Sequence, residues 1–113
     1  MGDRNFIVRA PHSLKIQRIT VSSTGATTAL LTTLAGLGWV RVKAITANVQ
    51  FFFTTDSGAS VVLDAADGAT CGWTLLAGQS EDYELTNETH IAWDADGTGQ
   101  IMLCRAGGER GGR

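Results

Sequence analysis

The feature that most constrains this chain is its cadence of short apolar–polar alternations, each closed by a turn of Gly, Asp or Ser. Trp39, Val40, Val42 and Ile45 interleave with Arg41 and Lys43. Cys71, Trp73 and Leu75 alternate with Gly72 and Thr74, Tyr83 and Leu85 with Asp82 and Glu84, and Ile91 and Trp93 with Ala92 and Asp94. Alternation at every second residue marks a strand with one buried face. Turn signals recur at spacings of about ten residues, as they do in antiparallel sandwiches and barrels. The helical period that would join parallel strands is missing. The expectation is an all-β, mainly antiparallel fold of about seven or eight strands.

Individual segments refine this. In residues 100–105, Ile101 and Leu103 share one face, and Met102 and Cys104 the other. Phe51, Phe52 and Phe53 are adjacent, so a strand there turns Phe52 opposite to its neighbours. Apolar material must then cover both faces, supplied by a second layer or by another subunit. Residues 14–21 read as a strand whose alternation changes phase between Ile16 and Ile19, which suggests a bulge or bend. Residues 27–35 read as one short helix: Thr27 can cap, Leu30, Leu31 and Leu34 share a face, and Gly36 can supply the left-handed stop. The β-branched threonines weaken that reading, and a Leu-rich loop or short strand is the rival.

At 113 residues the chain fits one domain. Residues 1–13 read as an extended arm, where Pro11 removes a backbone donor and holds Ala10 extended. Residues 14–106 form the β-sandwich domain, and the Gly-rich residues 107–113 a flexible tail. Apolar residues make up 43%, enough for a core, but charged residues only 18%, below the roughly 25% usual for soluble domains. That leaves much neutral Thr, Ser, Gly and Ala surface, of a kind that partners often cover. No membrane span is expected, because residues 25–40 carry four Thr and three Gly. No signal peptide is expected either, since only Phe6, Ile7 and Val8 precede Arg9. Gly2 does not read as a myristoylation site, because Phe6 stands where Ser or Thr is wanted.

The net charge of −2 hides an asymmetry. Residues 1–18 sum to +3, residues 19–104 to −7 and residues 105–113 to +2. Basic ends flank an acidic body, and such ends suit an acidic neighbour, including the body of another copy. Nucleic acid is not expected as a partner, because the acidic body would oppose docking on phosphates.

Candidate chemistry is sparse. His12 and His90 have no partner at metal-ligand spacing. Asp64, Asp67 and Gly68, like Asp94, Asp96 and Gly97, resemble calcium loops only in part, and Asp-Gly is first of all turn chemistry. Glu81, Asp82, Glu84 and Glu88 read as a solvated strand face or a patch for a basic arm, with no cleft to make them a hydrolytic pair. There is no Gly-x-Ser-x-Gly elbow, and no Lys-Ser or Lys-Thr follows the glycines at 36 and 38. Trp39, Trp73 and Trp93 could form a sugar-stacking platform, but their alternation favours core positions. Cys71 and Cys104 read as two buried thiols in a reducing compartment. The expectation is a chain that is no enzyme and needs no cofactor.

Within residues 39–105 the chain resembles small virion proteins of tailed bacteriophages. The resemblance rests on a strand ending Phe53, Thr54, Thr55, Asp56, and on Leu76, Ala77, Gly78 and Gln79 before an acidic strand. It continues with Ile91, Ala92, Trp93 and the turn Asp96, Gly97, Thr98, Gly99 leading into the closing strand of residues 100–103. Such chains are similar to capsid decoration (cement) proteins. The resemblance implies a jelly-roll-like sandwich, self-association often as trimers, and docking on the major capsid protein at the outer surface of the head. It implies no catalytic residues. An arm that pairs with a neighbour's sheet edge adds main-chain hydrogen bonds and avidity. Arg4, Phe6, Ile7, Val8 and Arg9 are therefore the candidate interface residues, with Phe51 or Phe53 at a subunit contact. The rivals are another virion part, such as a tail or head-fibre component, and a small carbohydrate-binding sandwich.

Overall fold

Ten strands follow one another in the computed structural model, which describes residues 6–7, 15–105 and 109–110. They are β1 (Phe6–Ile7), β2 (Ile16–Val21), β3 (Ala26–Ala29), β4 (Gly38–Ile45) and β5 (Val49–Thr54). After them come β6 (Trp73–Leu75), β7 (Ser80–Leu85), β8 (His90–Ala95), β9 (Gly99–Arg105) and β10 (Glu109–Arg110). Two four-stranded sheets run in the orders β2-β9-β4-β7 and β3-β8-β5-β6, and β1 pairs with β10 in a ribbon of its own. Every pairing is antiparallel. The chain changes sheet at every connection from β2 to β9 except β5 to β6, the winding of a jelly-roll sandwich.

The period-two pattern explains which side chains meet between the sheets. Ile19, Val21, Val40, Val42, Leu85, Ile101 and Leu103 come from the first sheet, and Val49, Phe51, Leu75, Ile91 and Trp93 from the second. All are nearly or fully buried. Each such aliphatic or aromatic side chain contributes roughly 1.5–3 kcal/mol when taken out of water. Met102 and Cys104 face outward, as their alternation with Ile101 and Leu103 requires.

Three local expectations are corrected. Residues 27–35 are not a helix. Thr27 and Thr28 lie in β3, opposite Ala92 and Ile91. A single turn follows, in which the Leu34 and Ala35 amides donate to Leu31 O at 2.8 and 2.9 Å. Leu30 and Leu34 are buried while Leu31 is 40% exposed, so the leucines plug one end of the sandwich instead of lining a helix face. Gly36 does take positive φ, at 81°. Nor is β2 bulged: its register with β9 is unbroken from Ile16 to Val21. Ile16 simply shares the outer face with Arg18, and Gln17 points inward at the open edge. Finally, only Trp93 of the three tryptophans is a core residue. Trp39 lies half-buried on the outer face of β4, and Trp73 is 62% exposed.

The second face of β5 is covered by the chain itself. The connection of residues 55–72 folds back over the outer side of its sheet. Gln50 Nε2 donates to Asp64 Oδ1 at 2.9 Å, the Asp64 amide donates to Gln50 Oε1 at 2.8 Å, and Thr27 Oγ1 donates to Ala59 O. Phe52 is half-buried and Ala92 fully buried beneath this cover.

Candidate interaction surface

The expected interface residues are scattered by the fold. Arg4, Val8 and Arg9 lie outside the described residues. Phe6 and Ile7 form β1, paired with Arg110 and Glu109, so the two ends of the chain meet in one ribbon. Part of the tail expected to be flexible is therefore strand. Phe51 is corrected as a contact residue: at 1% exposure it is central to the core. Phe53 is half-buried at the core's margin, its ring T-shaped against Phe51 at 5.7 Å.

A different feature stands at the sandwich edge where β6 and β7 end the two sheets. Trp73 has the inward parity of Leu75 and sits opposite Phe51. Among the described residues no strand lies beyond β6, and Trp73 remains open to solvent. Its Nε1 donates to Glu81 Oε1 across the edge at 3.4 Å. Tyr83 Oη donates to the same oxygen at 2.5 Å, and the Tyr83 ring packs edge-on to Phe51 at 5.5 Å. Burial pushes the Tyr83 hydroxyl well above its ordinary pKa, and the hydrogen bond and charge of Glu81 push it further. Leu76 and Val62, 50% and 53% exposed, add apolar surface elsewhere on the molecule.

Asp82 and Glu88 are engaged separately. Asp82 takes a bidentate pair from Arg41, at 2.7 and 3.0 Å, between directly opposed residues of β7 and β4. Glu88 accepts the Thr86 and Asn87 amides at 2.8 and 3.2 Å, and chiefly the Thr86 bond holds its carboxyl below the usual range. The Asp-rich turns act as braces. Asp96 receives both the backbone and the side-chain N–H of Asn48, at 3.0 and 2.7 Å. Together with Gln50 and Asp64 these residues line a cleft of about 280 Å³. Among the described residues no three His, Cys, Asp or Glu come together to hold a metal. Cys71 and Cys104 are free and only half-buried, a correction to the expected burial. His90 shares a 2.8 Å hydrogen bond with Thr89 Oγ1, and His12 lies outside the described residues.

The exposed Trp73–Glu81 contact is what the sequence did not reveal. Alternation placed Trp73 on the inner side correctly. It could not show that β6 ends its sheet. Comparison with protein-family models, curated proteins and solved structures finds no match.

Proposed function

We propose that this chain is a structural protein of a tailed-bacteriophage virion, and within that class a decoration (cement) protein on the outer surface of the head shell. The observation that carries this reading is the placement of the ends. Phe6–Ile7 and Glu109–Arg110 pair with each other outside both sheets of a jelly roll. A packed sandwich with a separate strand-forming element can hold a shell surface and also add to a neighbour's sheet edge. The likeness of residues 39–105 to such proteins and the low share of charged residues, 18%, support the same reading. The partners are the major capsid protein and further copies of this chain, as a homotrimer. Function then lies in contact and not in turnover.

Co-sedimentation with assembled, expanded tailed-phage heads tests it. The full chain should pellet with the heads. A chain lacking residues 1–10 should stay in the supernatant with its circular dichroism unchanged. A full chain that ignores the heads overturns the reading, and capture by tails instead moves it to a tail component.

The exposure of Trp73 favours one second reading, a carbohydrate-binding module that stacks a sugar ring on the indole. That reading requires a monomer that binds oligosaccharide and loses it on Trp73→Ala.

A further inference from the structure

An open aromatic face beside a carboxylate is a site for a cation. The ring quadrupole attracts a guanidinium, and the carboxylate accepts its N–H donors. Trp73 and Glu81 have this arrangement. The indole Nε1 lies 3.4 Å from Glu81 Oε1, and Tyr83 Oη donates to the same oxygen at 2.5 Å. Among the described residues both bonds to Glu81 fall on Oε1, and Trp73 is 62% exposed. Arg41 already neutralises Asp82, so Glu81 and Glu84 carry the uncompensated charge of β7. The chain's own ends supply the complement: Arg4 and Arg9 at one, Arg110 and Arg113 at the other.

We infer that Trp73 and Glu81 form a clasp for an arginine from the terminal segments of a second copy of this chain. The inference rests on the self-association proposed above and names its contact. A second copy is the occupant on the charge balance, with residues 19–104 at −7 and the two ends at +3 and +2. The acidic edge of one copy and the basic ends of the next are complementary, so one contact repeats around a closed ring. Arginine suits it better than lysine, because its planar head can stack on the indole while donating to the carboxylate.

Sedimentation equilibrium of the full chain tests the clasp through complementation. An acceptor variant carries Trp73→Ala and Glu81→Gln. A donor variant carries Arg4→Ala, Arg9→Ala, Arg110→Ala and Arg113→Ala. The unaltered chain should self-associate, and each variant should do so about tenfold more weakly or worse, with an unchanged circular dichroism spectrum. An equimolar mixture should recover a 1:1 complex through one intact contact, the acceptor variant's arginines on the donor variant's Trp73 and Glu81, while no ring containing both closes. Glu81→Gln alone, which removes charge and little volume, should act in the same direction. A monomeric parent, an acceptor variant that associates normally, or a mixture that recovers nothing would overturn the clasp. So would a monomer whose Trp73 indole resonance shifts with a neutral oligosaccharide. A chain that associates through the clasp but ignores head shells defeats only the decoration reading. A chain that pellets with shells while its acceptor variant associates normally defeats only the clasp.

Discussion

The side chain of Gln17 stands in for a strand at the edge of the sandwich, where its Oε1 accepts the Leu31 amide at 2.9 Å. Its Nε2 donates to Ala29 O, also at 2.9 Å. One carboxamide thus satisfies both an N–H and a C=O at the end of β3, and ties the edge of one sheet to the edge of the other. Unpaired edge groups invite strands from other chains, so this plug also limits where a neighbour can add. Gln17→Ala should lower stability by about 1 kcal/mol, the scale of an exposed hydrogen-bond pair whose groups water can partly satisfy. Urea denaturation reads this directly, and an unchanged midpoint would show that the plug does not hold the edges together.

The chain's single tyrosine makes the Glu81 contact measurable. Tyr83 is an acid whose pKa is raised in the fold, first by burial and then by Glu81. The folded chain therefore keeps the phenolic proton where the unfolded chain loses it. Its contribution to stability is complete below pH 10.0, the ordinary value, and is lost as pH rises above it. Ultraviolet titration should show ionisation only well above that value. Glu81→Gln should bring it partway down, because the burial cause persists. A titration that Glu81→Gln leaves in place would remove Glu81 from this contact.

Glu88 gives the opposite dependence. Its carboxylate holds the Thr86 and Asn87 amides of the β7–β8 turn, and its pKa lies below the ordinary 4.5. The stability it provides is present above pH 4.5 and is lost as pH falls through its lowered value. Glu88→Gln should reduce stability at neutral pH and flatten the acid limb of the stability curve. Melting temperatures across the acid range would show it, and parallel curves for the two proteins would sink it.

What was legible in the sequence was local. Ile101 and Leu103 face in and Met102 and Cys104 face out because side chains alternate along any strand, whatever its neighbours. What was not legible depended on strand order and on segments returning from far along the chain. The spacing of Leu30 and Leu34 suits a helix face and equally a loop that plugs the sandwich, and only the pairing of Thr27 and Thr28 with β8 decides between them. Phe52 required an apolar neighbour on the second face of β5. That this is the chain's own connection, and not another subunit, follows from contacts such as Gln50 with Asp64, which periodicity does not encode. Trp73 has a core residue's parity and a surface residue's exposure because β6 is the last strand of its sheet.

That returning connection depends on one glycine. A Cβ on Gly72 would lie 2.6 Å from the Phe51 amide nitrogen and 3.0 Å from the carbonyl carbon of Gln50. Both are backbone atoms of β5, held in ladders with β6 and β8, and cannot swing aside as a side-chain tip would. Gly72→Ala must therefore push residues 55–72 away from the sheet or displace β5 itself. Either response opens the cover over Phe52 and Ala92. Overpacking of this kind costs about 1–3 kcal/mol. Gly97→Ala is the matched control, because nothing lies within 4 Å of a Cβ there. Denaturant titration should separate the two variants, with Gly72→Ala destabilised and Gly97→Ala close to the parent. Limited proteolysis should also cut residues 55–72 faster in Gly72→Ala. Equal stability and equal cutting in the two variants would mean that the connection can retreat at no cost, and that the cover over Phe52 is not a fixed part of the fold.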